Sequence, residues 1–297
     1  GGGKGQPSGK SGAEEERRRR QEAEEAELRE LERKGMPPKP RATELRADVA
    51  TFACRLGIGG RESESLRGVE IGDKEAAAMV HGLRTNGDIE GLDLSDSSLH
   101  TEAAQVLTKM LGTELVPVPK LRSLVLARCP IGDAVASVIF ECLCRLSITN
   151  LDMRCTLLSP SSGKTLASVL ATTQQPPCSL TNLNLSGNSL MSTGVGHLSK
   201  SLPHCKTLSV LNLDGNGIDD AGALQLAAGL KENNTIHSLH VAGNEIGNEG
   251  GLALAQAGHG RGVRMRLVDL CDNKLTGKQI LGEIEKVGRH VVRLSKR

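Results

Sequence analysis

The sequence predicts an α/β horseshoe: a stacked solenoid with parallel strands on its concave side and helices on its convex side. Three observations carry this. Residues 180–190, 208–218 and 236–246 superpose without gaps, each copy beginning 28 residues after the last. A fixed period in this range belongs to stacked repeats rather than to one compact core. Within each copy the apolar residues at positions four and six (Leu183 and Leu185, Leu211 and Leu213, Leu239 and Val241) are two apart and share one face of a short strand. Gly194, Gly222 and Gly250 recur at the same period, followed by Leu198 and Leu202, Leu226 and Leu230, and Leu254, on one helical face. Strands about 4.8 Å apart beside helices that need roughly 8–10 Å make such a stack curve, strands inward.

In order, the chain divides into a charged arm and Pro-rich linker at 1–41, a capping helix at 42–65, repeats at 66–276, and a C-terminal cap with a basic tail at 277–297. Residues 1–12 are Gly-, Ser- and Lys-rich with nothing to bury, so disorder is expected there. Residues 13–34 are mostly Glu, Arg and Ala, and Glu precedes Arg or Lys by four at 14/18, 15/19, 16/20, 25/29 and 30/34, which supports a solvated helix. Leu28 and Leu31 are its large apolar residues, too few for a coiled-coil seam. The segment reads as a solvated tail or as an arm that folds along a partner. Met36-Pro-Pro-Lys-Pro40 then breaks the helix. Leu45, Val49, Phe52, Ala53 and Leu56 form an apolar stripe suited to covering the first open repeat.

Leu66, Val69 and Ile71 form a truncated leading copy, followed by a helix over 74–83. Seven full copies begin at Ile89, Leu121, Ile148, Leu180, Leu208, Ile236 and Met265. Their ninth positions are Ser97, Cys129, Thr156, Asn188, Asn216, Asn244 and Asn273. An Asn amide donates and accepts at once, so the four asparagines are expected to form a structural ladder through the buried turns. Longer spacings before Leu121 and Leu180 place Pro-containing insertions, read as loops, at 112–119 and 172–177. Ile280, Leu281, Ile284 and Val287 give a last helix, and residues 289–297 follow as a basic tail.

The pattern L-x-x-L-x-L-x-x-N-x-L is that of a leucine-rich repeat. Copies of 28 residues with a full helix and a Gly before it resemble the ribonuclease-inhibitor-like class over roughly 66–275. That class includes inhibitors, receptor sensor domains, Ran GTPase-activating proteins and axonemal or cytoskeletal scaffold subunits. The resemblance therefore implies protein binding without choosing the partner. A non-catalytic scaffold subunit of a cytoskeletal or axonemal assembly, cytoplasmic or ciliary, is the leading expectation. The alternatives are a regulator of a GTPase or an enzyme inhibitor, and an accessory subunit of an organellar complex. Ran activators resemble this class but carry a longer array and an acidic tail, where this chain has fewer copies and a basic one.

Composition narrows the chemistry. The chain has no Trp or Tyr and two Phe, Phe52 and Phe140, which removes the aromatic anchors of tight interfaces and ligand pockets. A net charge of +2 favours neither nucleic acid nor an acidic substrate. No run approaches a membrane span, and no secretory apolar region is present. The chain does not begin with Met and reads as processed or as part of a longer product. Eight Cys without paired C-x-x-C spacing argue against zinc and for a reducing compartment. Ser162-Gly163-Lys164-Thr165 looks like the end of a phosphate-binding loop, but the Gly required five residues before Gly163 is Leu158; a helix start is the expectation. No Ser-His-Asp, Cys-His or carboxylate–His–Cys set converges around His237 and His240. The chain is read as no enzyme, with no catalytic residue, cofactor, metal or small-molecule substrate.

The concave wall is the candidate binding surface. Position five gives the column Asp93, Val125, Asp152, Asn184, Asn212, His240 and Asp269, and flanking positions add Arg122, Arg128, Arg154 and Asp214. This mixed-sign polar strip suits salt bridges and hydrogen bonds to a folded protein partner. It lacks the consistently basic or aromatic character of a nucleic-acid groove. The plainer alternative is a row of solvated strand residues.

Overall fold

The computed structural model describes residues 19, 22, 26, 48–49, 51–52, 56, 63–85, 88–99, 102–106, 120–143, 146–171, 178–258, 265–287 and 291–295. Both expected insertions, 112–119 and 172–177, and nearly all of the arm lie outside them. The elements are β1 (Ser63–Ser65), β2 (Glu70–Ile71), α1 (Asp73–Thr85), β3 (Gly91–Asp93), β4 (Ser98–Leu99), β5 (Ser123–Val125), α2 (Gly132–Cys142) and β6 (Asn150–Asp152). They continue with α3 (Pro160–Leu170), β7 (Asn182–Asn184), α4 (Met191–Ser201), β8 (Val210–Asn212), α5 (Asp220–Glu232), β9 (Ser238–His240), α6 (Asn248–Gly258), β10 (Leu267–Asp269), α7 (Lys278–Val287) and β11 (Val292–Arg293). Nine strands, all but β2 and β4, form one parallel sheet in chain order. β2 and β4 pair separately.

Strand register is uniform, so each pattern position becomes a straight column. Leu92, Leu124, Leu151, Leu183, Leu211, Leu239 and Val268 lie side by side. Each is buried, and the leucines on the helical face, Leu198, Leu202, Leu226, Leu230 and Leu254, close the core from the other side. The truncated first copy shows why it is degenerate: Glu64 takes the inward position opposite Leu92, with Leu66 alongside. Val49, Phe52 and Leu56, the described apolar residues of the expected capping stripe, are fully buried.

The periodic glycines are set by helix-to-helix contact. A Cβ at Gly163 would stand 2.6 Å from the Gly194 carbonyl oxygen, one at Gly194 2.9 Å from the Pro160 Cα, and one at Gly222 2.9 Å from the Ser192 Cα. Only a residue without a side chain lets successive helices approach so closely. Gly163-Lys164 therefore lies in the first turn of α3, with Ser159 as its N-cap and Lys164 exposed.

Neighbouring repeats complete each other's turns. Asn188, Asn216, Asn244 and Asn273 each donate from Nδ2 to the position-six carbonyl of the preceding repeat, at Met153, Leu185, Leu213 and Val241, over 2.9–3.0 Å. Their Oδ1 atoms accept backbone N–H groups from that same repeat: Thr156 and Leu158, Leu190, Asn216 and Ile218, and Ile246. Cys129 and Ser97 make the same backward contact with a single donor, to the carbonyls of Leu94 and Leu66. Burial pushes the Cys129 thiol up to about 11, so it stays a neutral donor. Thr156 turns instead to the Met153 carbonyl of its own repeat.

Two features at the ends go beyond the sequence reading. The sheet begins at Ser63, upstream of the expected start at residue 66. The expected basic tail supplies a ninth strand, β11, paired parallel to β10.

Candidate partner-binding wall

The concave face is the outward side of the nine-stranded sheet. The register places Ser65, Asp93, Val125, Asp152, Asn184, Asn212, His240, Asp269 and Arg293 in one column. Because side chains alternate across a strand, the residue two earlier shares that face. Ser63, Gly91, Ser123, Asn150, Asn182, Val210, Ser238 and Leu267 thus form a second outward column. Sequence reasoning missed it although the period-two signal was present: the pattern fixes Leu at position four, and the residue before it must face the same way as the one after.

Much of the predicted column is engaged in holding its own backbone. Oδ1 of Asp93, Asp152, Asn184, Asn212 and Asp269 each accepts the N–H two residues ahead, at Ser95, Arg154, Ser186, Asp214 and Cys271, over 2.9–3.1 Å. This Asx-type bond turns the chain off the strand. It explains why Asp and Asn fill the position without reference to a partner.

The turn then places position eight in the left-handed region in every copy. Gly68, Asp96, Arg128, Cys155, Gly187, Gly215, Gly243 and Asp272 have φ between 54° and 69°. The three clean copies meet this requirement with Gly. The side copies carry Asp, Arg or Cys there, at a cost of about 1 kcal/mol each.

The flanking charges divide along the array. At the first repeats they neutralise one another: Arg67 lies 3.5 Å from Asp93, and Arg128 grips Asp96 through Nε and Nη2. The Arg128 hydrogen bond holds the Asp96 carboxyl below its usual range and raises the guanidinium. Arg154 pairs with Asp152 at 3.3 Å. Arg122 stands exposed at the rim. At the far end Asp269 is 7% exposed, because β11 covers it and Arg293 lies 3.4 Å away. Its expected place on an open wall is thereby corrected. Asp214 is only partly exposed, and desolvation raises its pKa even though the Ala242 N–H donates to it at 2.6 Å.

What remains open is the middle. Asp152, Asn184, Asn212 and His240 gather with Asn150 and Asn182 around a shallow hollow of about 330 Å³. Asn182 donates to Asn150 at 2.9 Å. Among the described residues, Nδ2 of Asn150, Asn184 and Asn212 makes no protein hydrogen bond. Asp93 belongs to a separate hollow over β1, β3 and β5. No cluster of His, Cys, Asp and Glu able to hold a metal occurs among the described residues. None of their helices is long and apolar enough to cross a membrane.

Comparison with known proteins agrees with this geometry. A family described as Leucine Rich repeat matches residues 204–227 and 232–255, and another described as Leucine Rich Repeat matches 179–205. The Tonsoku-like protein of Danio rerio is 26% identical over 138 residues, 46% of this chain and 10% of that protein. The chain thus matches about a tenth of that relative's length. An internalin C2 from Listeria monocytogenes superposes with a TM-score of 0.41 at 17% identity, covering 76% of this chain and 84% of its own. The leiomodin-1 actin-binding site 2 gives 0.30 at 21% identity, covering 35% and 62%. Those two superpositions are too partial to carry an argument. The register, the asparagine bonds and the matched segments do: the chain carries leucine-rich repeats, folded as an α/β horseshoe.

Proposed function

We propose that this chain is a non-catalytic protein-interaction scaffold whose central concave wall, over β5–β9, holds a protein partner. One observation carries the reading: three of the amides lining the hollow, Asn150, Asn184 and Asn212, donate to no protein group among the described residues. Aromatic anchors are absent from it, so the interface is broad and polar, built from many modest hydrogen bonds. In this reading the contact centres on Asp152, Asn184, Asn212, His240 and their position-three neighbours, away from the neutralised charges at the first repeats and the covered Asp269. Arg122, Arg128 and Arg154 form its rim. Membership of a multi-protein assembly, cytoskeletal or axonemal in kind, and of the ribonuclease-inhibitor-like class, rests on the resemblance of the 28-residue copies alone.

The test uses Asn150→Arg with Asn182→Arg. Among the described residues these side chains bond only each other, so the fold is left alone. Affinity capture with the full chain is expected to recover a defined partner, and the double variant to bind it at least about tenfold more weakly at unchanged stability. Undiminished capture by the variant would move the interface off the wall. Stimulation of GTP hydrolysis at catalytic amounts of the chain would replace the scaffold reading with a regulatory one.

A further inference from the structure

Position five of the array supplies an internal comparison. Asp93, Asp152, Asn184, Asn212 and Asp269 each use Oδ1 to accept the N–H two residues ahead. That bond asks only for an oxygen, so Asp and Asn serve it equally. Val125 stands in the same column and has no such oxygen to offer. The turn therefore does not dictate what the second polar atom of each residue should be.

For the three acids the fold answers that atom itself. Oδ2 of Asp93 lies 3.5 Å from Arg67, Oδ2 of Asp152 3.3 Å from Arg154, and Oδ2 of Asp269 3.4 Å from Arg293. The two amides differ. Nδ2 of Asn184 and of Asn212 donates to no protein group among the described residues, and both side chains line the central hollow. With Oδ1 anchored to the backbone, the orientation of each amide is set and its donors are left over. Asn184 and Asn212 are partners in register on adjacent strands, about 4.8 Å apart. The wall thus holds two like donors side by side.

The surroundings decide which acceptor suits them. The hollow's described lining includes Asp152 and no Lys or Arg. Two residues beyond Asn212, Asp214 is half-buried, and burial raises its pKa. Negative charge is already disfavoured in this part of the wall. An incoming carboxylate would meet no cation to offset that cost, because Arg154 lies against Asp152 and Arg293 against Asp269. An uncharged oxygen needs only the hydrogen bond.

We propose that Asn184 and Asn212 select the partner by donating, side by side, to main-chain carbonyls that it exposes over β7 and β8. This rests on the wall being the binding face and adds what that face reads: uncharged acceptors, with acids discriminated against.

The experiment places a photo-cross-linking amino acid at position 210 of the full chain, since Val210 lines the same hollow on β8. The chain is irradiated in an extract of the cells that produce it, and the joined segment is mapped by mass spectrometry. Asn184→Asp with Asn212→Asp is the deciding variant. Asp makes the same turn bond at 93, 152 and 269, so the fold is kept and the leftover donor becomes an acceptor. The cross-link yield of this variant is expected to fall at least about tenfold, with an unchanged circular dichroism spectrum. Replacing every Asp and Glu of the joined segment by Asn and Gln is expected to leave the yield with the original chain within about twofold. A yield that survives the two aspartates, or that collapses when the partner's acids are neutralised, would overturn the assignment and leave the wall reading standing. Absence of any cross-link from position 210 would remove both.

Discussion

Asn244 shows how much one side chain can govern in this fold. Its amide donates to the carbonyls of Leu213, Val241 and Ala242 and accepts from the N–H groups of Asn216 and Ile218. It is 6% exposed. Asn244→Ala would strand these backbone groups away from water, and we expect a loss of about 3 kcal/mol in chemical denaturation. A loss below about 0.5 kcal/mol would mean that water or a relaxed turn replaces the amide. This residue was legible in the sequence because the period repeats it four times. The chemistry of the column beside it was not. Asp152 and Asn184 read as candidate partner contacts on the wall, and only the structure shows their Oδ1 atoms tied to the backbone two residues on. Single residues carry no mark of such a bond, since the same Asx side chain would suit an exposed strand equally well. Asp269 was misplaced for a related reason: nothing in the run of residues 289–297 announces a strand of two residues.

At the scale of the element, helices are capped across repeats as well as within them. Asp133, at the start of α2, accepts the Ser159 N–H and the hydroxyls of Ser159 and Ser162 at the start of α3. Asp220 in α5 does the same for α6, accepting the N–H groups of Gly247 and Gly250 over 2.9 and 2.7 Å. Burial alone would raise the Asp133 pKa, but the serine donors outweigh it and bring the carboxyl to about 2. A depressed carboxylate contributes stability that is fully present above its unfolded value of about 3.9. That contribution is lost as pH falls through about 2. Asp133→Asn should therefore be less stable at neutral pH by about 1 kcal/mol and lose less between pH 4 and 2. Acid titrations of the two proteins that run parallel would remove this carboxylate from the account. The helices themselves were readable from Leu spacing and periodic Gly. The caps between them were not, because Asp133 and Ser162 lie 29 residues apart and meet only when the repeats stack.

For the molecule as a whole, stability is a sum over neighbours rather than a property of one core. A middle repeat such as β8 with α5 is held from both sides, whereas β11 pairs, among the described strands, with β10 alone. Hydrogen exchange should be slowest in β7, β8 and β9 and fastest at 291–295, with a graded rather than single opening energy. Equal protection of all strands would show a single cooperative unit instead. The direction of the asparagine bonds adds something to this picture. Each one reaches back toward the amino end, so a turn's donors wait for the repeat that follows. Chains leave the ribosome amino end first. Each new copy of 28 residues therefore completes the one made before it. The nascent solenoid carries one unsealed turn at its growing front, and that front advances with translation until Asn273 seals Ile246 and the last strand closes over Asp269.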